Sequence, residues 1–282
     1  MYKVLLYLPA LVFFGFMGLI YLRSKRNEAV WDLPFKDDQD RPPGESLRLK
    51  LDDLYTDLSA DLMLMFFAAI LPFILLAPNP SEYLVFLVFS FSFVGLFLFG
   101  RKIWKRLPII RSYRIGFEGE RITAQNLTPL FCRGYYVFHD IPMGDYNVDH
   151  VVVGPNGVFA IESKARRKRK SAGTERARVV YDGRSLHYPE VPPETYGLEA
   201  AVSRAQGLEK WLSSAVGEKI SVWPILALPG WYVQRTRKGN PPVMNPKSIP
   251  NFILKTTKYD LSEQQIKRIR HQLFEKSKVE TK

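Results

Sequence analysis

The sequence predicts an α/β domain with a mixed central sheet and flanking helices, preceded by a three-helix membrane anchor. Three observations predict it. Uncharged apolar stretches cover residues 4–22, 62–77 and 83–99. Two apolar runs, 148–153 and 158–161, flank Pro155, Asn156 and Gly157. Helix-period and strand-like segments alternate from residue 116 onward. The expected organisation is an anchor over 1–106, an α/β domain over 107–255, and a charged C-terminal helix over 256–282.

The anchor comes first. A bilayer core needs about 20 apolar residues of helix. The three stretches hold 19, 16 and 17 uncharged residues, and interfacial neighbours extend the shorter two. A soluble core helix of this length carries a polar face, and these carry none. Arg23, Lys25 and Arg26 follow the first stretch; Arg101, Lys102, Lys105 and Arg106 follow the third; residues 78–82 hold no Lys or Arg. The positive-inside rule therefore puts residues 23–61 and 100–282 in the cytoplasm of a cell whose inner membrane the chain spans. Between the first two stretches, Leu47, Leu51, Leu54 and Leu58 fall at helical spacing. They predict a short amphipathic helix on the membrane surface or on the soluble domain.

Charge divides the chain. The total is +12, with −3 over residues 1–100 and +15 over 101–282. The basic part is the candidate partner of a polyanion, nucleic acid or anionic lipid. A single cysteine, Cys132, excludes an internal disulfide and a cysteine-built zinc site, and its apolar neighbours predict a buried thiol. Neither a P-loop nor a Gly-x-Ser-x-Gly elbow is present.

The hairpin carries the chemistry. Asn-Gly between apolar runs predicts a type I′ turn at Asn156 and Gly157. That register sets Asp149 opposite Lys164 and places Asp149, Glu162 and Lys164 on one face. Two carboxylates beside a lysine suit a hard cation such as Mg²⁺ or Mn²⁺, which polarises a phosphoryl oxygen and acidifies a bound water. A cross-strand ion pair between Asp149 and Lys164 is the alternative. His150 alternates away from Asp149 and is expected under the sheet.

The other elements follow in order. Gly116, Gly119 and Glu120 precede a helix reaching about residue 130, then a strand covers 135–139. After the hairpin, residues 178–188 read as a second hairpin turning at Asp182 and Gly183. A helix near 198–212 carries Gln206, a buried strand covers 220–228, and a peripheral charged helix covers 258–278.

In combination these residues closely resemble the nuclease-related domain family, NERD, of the PD-(D/E)xK restriction-endonuclease-like superfamily. The resemblance rests on Gly-x-x-Gly-Glu at 116–120, Val-Asp-His-Val-Val-Val at 148–153, Gly-Val-Phe-Ala-Ile-Glu-Ser-Lys at 157–164, and Leu-Pro-Gly-Trp-Tyr-Val at 228–233. It covers about residues 112–255. It implies a restriction-endonuclease-like fold and a Mg²⁺-dependent nuclease acting on DNA. Glu120, Asp149, Glu162 and Lys164 would be the catalytic set, with Gln206 in support. Asp149, Glu162 and the Ser163 carbonyl would hold the metal. Arg166, Arg167, Lys168, Arg169 and Lys170 continue from Lys164 as an electrostatic track for phosphates. Two other readings stay open: a non-catalytic membrane tether that binds DNA, and an interaction protein that meets anionic lipid through its basic face.

Overall fold

The computed structural model describes residue 19 and residues 41–75, 80–168, 177–256 and 260–278. The stretch expected to span the membrane at 4–22 lies outside these residues, apart from Leu19. Two helices among the described residues, not three, are long and apolar enough to cross a bilayer.

The first, α1 (Glu45–Leu75), joins two elements that the sequence separates. The leucines at 47, 51, 54 and 58 form no independent surface helix. They are the first turns of the same helix that becomes apolar after Asp61. The second, α2 (Glu82–Leu127), runs 46 residues without interruption, through Pro108. Its first half is the apolar stretch and its last turns carry Glu120. The two helices pack along each other. Buried Asp61 of α1 meets Lys102 and Arg106 of α2 there, and Arg106 also reaches Asp57.

Gly116, Gly119 and Glu120 thus sit inside a helix rather than before one. Glycine costs helix stability, roughly 1 kcal/mol against alanine, so packing must require it. A Cβ on Gly119 would strike the Ala165 side chain, and one on Gly116 would press Leu47 of α1 at 3.2 Å. The Gly-x-x-Gly spacing lets one helix approach α1 on one side and the end of the central sheet on another.

A 3₁₀ segment (Thr128–Arg133) leads from α2 into β1 (Tyr136–Pro142). Cys132 lies on it and is exposed, not buried as its neighbours suggested. Then come β2 (Asn147–Gly154), β3 (Gly157–Ser163), β4 (Arg178–Tyr181), β5 (Leu186–His187) and α3 (Tyr196–Val216). The chain closes with β6 (Val222–Ala227), β7 (Tyr232–Arg235), β8 (Val243–Met244), α4 (Ile249–Lys255) and α5 (Glu263–Ser277). The central sheet has the order β1-β2-β3-β6-β8. Its first three strands are antiparallel and β3, β6 and β8 are parallel, so the sheet is mixed. A second small sheet, β5-β4-β7, contains the expected hairpin at Asp182 and Gly183.

Helices cover both faces. Val151, Val153, Val158 and Ala160 pack under Ala205, Leu208 and Leu212 of α3 and Ile269 and Leu273 of α5. Val152, Phe159 and Ile161 pack against Leu127, Leu130 and α4. Ile269 and Leu273 are fully buried, so the terminal helix is part of the core and not peripheral. Its charges occupy the outer face, and its apolar residues recur at i and i+4.

Candidate functional site

The hairpin turn differs from the expected one by a residue. Gly154 pairs with Gly157, leaving Pro155 and Asn156 as the loop. A type I′ turn needs positive φ at its central residues, and proline cannot supply it. Gly157 takes a φ of 121° instead, and the Asn156 amide donates to the Ile253 carbonyl at the end of α4 (3.0 Å). Continuing the observed pairs from His150 and Ile161 brings Asp149 opposite Glu162, not opposite Lys164. The pairing shifts by two positions, an even number. Every side chain therefore keeps its face.

Asp149 and Glu162 are both buried on the α3 face of adjacent strands. The Ser163 amide donates to Asp149 Oδ2 (2.7 Å). Lys164 Nζ pairs with Glu162 Oε1 (2.8 Å) and lies over the Tyr196 ring at 5.5 Å. The Ser163 hydroxyl donates to Thr123 Oγ1 (2.9 Å) on the other face, tying β3 to α2 one turn beyond Glu120. Glu120 is itself buried, and its Oε2 has no hydrogen-bond partner among the described residues. A cleft of about 750 Å³ is lined by Glu120, Asp149, Ser163, Lys164 and the first turns of α1.

Two charged residues that the sequence reading missed complete the cluster. Arg204 of α3 places one guanidinium nitrogen between the carboxylates, 3.2 Å from Asp149 Oδ1 and in close contact with Glu162 Oε2. Gln206, expected in this role, is exposed and lines a different cavity. Two residues along a helix turn by about 200°, so one helix cannot aim both at one site. Arg204 sits beside the apolar stripe of Ala201, Ala205 and Leu208, which is the only sequence sign of its direction.

The second is Asp140, buried in β1 with a φ of 50°. It accepts from the Ser46 amide (2.9 Å), the Ser46 hydroxyl (2.7 Å), Asn147 Nδ2 (2.9 Å) and Arg41 (3.3 Å). The Ser46 N–H is in the first turn of α1 and has no intrahelical partner. Asp140 thus caps a helix that is remote in sequence. A lone acid within the apolar run 137–141 was the available signal.

Of the basic run, Arg166 pairs with Glu194 (2.7 Å) and stacks on Tyr188 at 4.5 Å. Lys168 donates to the Gly230 carbonyl and lies 5.3 Å from the Trp231 ring centre. Arg167 is exposed. Arg169 and Lys170 lie outside the described residues. His150 is fully buried under the sheet with its Nδ1 2.9 Å from that of His139. Burial holds both imidazoles neutral, His139 at about 4.

These residues share one sequence neighbourhood. Residues 115–229 match the family model of the nuclease-related domain, NERD. The NERD match begins within α2, before Glu120, and ends just after β6. It contains Glu120, Asp140, Asp149 and Glu162, together with Lys164 and Arg204. No curated protein and no solved structure matches the chain.

Electrostatics of the carboxylate site follow from burial. Removal from water, then the charges of Asp140 and Glu162, push Glu120 up to about 8, against the pull of Arg204 and Lys164. Asp149 is likewise raised by burial, then by Glu162 and Glu120. Burial lowers Lys164, but Glu162 and Asp149 outweigh it and the net shift is upward. Lys164 is therefore an ammonium at neutral pH, a donor and not a base.

A pH dependence follows. In the unfolded chain Glu120 titrates near its ordinary 4.5, and in the folded chain near 8. The stability this group supplies is fully present below about pH 4.5 and is lost as pH rises through about 8. Glu120→Gln removes that slope. Thermal melting in chelator is expected to show the variant a few degrees more stable than wild type at pH 8, with the gap closing near pH 4. A gap that does not change with pH would mean that Glu120 titrates alike in the folded and unfolded chain.

The donor set bears on a metal. Among the described residues no three His, Cys, Asp or Glu side chains surround one point. Two carboxylates do, with Arg204 between them. Three buried acids face two cations, and one Glu120 oxygen lacks a partner. The Arg204 side chain is 24% exposed. Asp149 and Glu162 are hard oxygen donors of the kind a divalent cation takes, and the Arg204 guanidinium occupies the space between them.

Proposed function

We propose that this chain is a membrane-anchored, divalent-metal-dependent nuclease that hydrolyses DNA phosphodiester bonds on the cytoplasmic side of a bacterial inner membrane. The observation that carries this reading is the pair Asp149 and Glu162. They are buried side by side within a nuclease-related domain and bridged by the single cation Arg204. On this reading the domain has the restriction-endonuclease-like fold. Asp149, Glu162 and the Ser163 carbonyl would hold Mg²⁺ or Mn²⁺, which would supply Lewis-acid polarisation of the scissile phosphoryl group.

The chain's own residues do the rest. Lys164, held as an ammonium by Glu162, orients the attacking water and offsets charge on the phosphate. Arg204, displaced from the carboxylates, is available to a phosphate oxygen as a planar donor. Glu120, protonated near neutral pH by its burial, can give its proton to the departing oxygen. Arg167 meets the phosphate backbone beyond the site. The anchor reading rests on the apolar halves of α1 and α2 and on the Lys/Arg residues at 101–106.

A second reading has its own support. Arg204 and Lys164 together engage the carboxylates, and Arg166 and Lys168 are committed to protein partners. A closed network of this kind serves a tether that binds DNA or anionic lipid without cutting. Purified full-length protein in detergent, incubated with linear DNA, separates the two. The nuclease reading expects cleavage with Mg²⁺ or Mn²⁺ and none in chelator. Binding without cleavage under every divalent cation would leave the tether. A reporter fused after Lys282 that is active only outside the membrane would remove the cytoplasmic assignment.

A further inference from the structure

A second cavity lies on the side of α3 that carries Gln206, away from Arg204 and the carboxylates. Its volume is about 1110 Å³, bounded by α3, β6, the 235–240 loop and the end of α4. That is ample for a small organic ligand, whose clefts run to roughly 300–1,000 Å³. Arg235, Arg237, Lys238 and Lys255 line it. None of these four pairs with a carboxylate among the described residues. The acid on its wall, Glu209, accepts from the Val222 amide (2.9 Å) and so already has a donor. The local field is positive and attracts an anion.

The loop that carries three of these cations is fixed in place. The Thr236 amide donates to the Tyr181 carbonyl (2.9 Å), and the Tyr181 hydroxyl donates to the Pro241 carbonyl (3.0 Å). Gly239 passes so close to Tyr181 that a Cβ there would collide with the phenol oxygen. The cations are therefore presented from an ordered support, which reduces the entropy lost on binding. The aromatic rings of Trp223 and Phe252, both partly buried, line the same cavity.

Fixed cations beside aromatic rings match one chemistry, phosphate joined to a planar base. We propose that this cavity binds a nucleotide, with its phosphates on Arg235, Arg237 and Lys238 and its base against Trp223 or Phe252. The Gln206 amide, on the same wall, offers a donor and an acceptor to the base edge. The ligand is either a free nucleoside phosphate or one unit of a single strand. The proposal does not depend on catalysis at Asp149 and Glu162.

The test uses the full-length protein in detergent and fluorescence anisotropy of dye-labelled ADP. Saturable binding is expected. Unlabelled ADP and ATP should compete, and adenosine and pyrophosphate should compete at least tenfold less well. Arg237→Ala with Lys238→Ala should weaken binding tenfold or more, and so should Trp223→Ala. Asp149→Ala should leave it unchanged, which separates this site from the carboxylate cleft. The two loop residues are exposed, so their replacement should leave thermal melting as in wild type. A short single-stranded oligonucleotide competing better than ADP would assign the strand as ligand, and a weaker one the free nucleotide. Absent saturation, pyrophosphate equal to ADP, or affinity indifferent to Arg237 and Lys238 would each overturn the proposal.

Discussion

Asp149→Asn and Glu162→Gln are each expected to lower DNA cleavage by about 10³-fold or more, equivalent to roughly 4 kcal/mol of transition-state stabilisation. On the proposed reading, either change replaces a hard anionic ligand by a neutral amide. DNA affinity should hold or rise. Each substitution removes a negative charge next to the phosphate and loosens Arg204 and Lys164, which the carboxylates now engage. Mg²⁺ should raise the melting temperature of wild type and not that of the variants. Cleavage that survives both substitutions, or persists in chelator, would place the chemistry elsewhere.

Asp140→Asn is expected to cost roughly 2–4 kcal/mol of stability, a fall in melting temperature on the order of 10 °C. Asparagine tolerates the positive φ at this position, so the change tests the carboxylate and not the backbone. An amide keeps one acceptor oxygen and turns a donor towards the donors of Ser46, Asn147 or Arg41. The start of α1 should loosen from the sheet. Glu120 should titrate lower, since Asp140 is among the charges that raise it. Asp145→Asn, in the exposed loop that follows, is the control and should melt as wild type. Equal melting of both variants would remove Asp140 as the link between α1 and the sheet.

Alternation made the site face legible in the sequence. It survives any even shift in register, so Asp149 and Glu162 share a face although the turn was placed one residue late. The turn itself was misread because Asn-Gly outweighed Pro155, whose ring forbids the φ that the turn needs. Gln206 was chosen by resemblance. Helical rotation gives the position to Arg204, and nothing short of the packing of α3 distinguishes residues two apart. The unity of α2 was hidden by a change of composition near residue 100. Helix continuity depends on backbone hydrogen bonding and on α1 alongside, neither of which changes when apolar side chains give way to basic ones. Asp140 escaped notice because its partners, Arg41 and Ser46, lie almost 100 residues upstream.

The continuity of α2 has a mechanical consequence. Phe99 ends the apolar part and Glu120 lies 21 residues further on the same helix. At 1.5 Å per residue this is a post of about 30 Å. With the apolar part in a bilayer, as proposed, the carboxylates stand at constant height above the lipid, and the ion cluster of Asp61, Lys102 and Arg106 braces the post near its foot. The helix is continuous between the two, through Pro108. The site can then diffuse laterally but cannot reach outward, and its encounters are restricted to a thin layer along the membrane. A strand gripped in the cleft would transmit any pull along the helix axis into the bilayer.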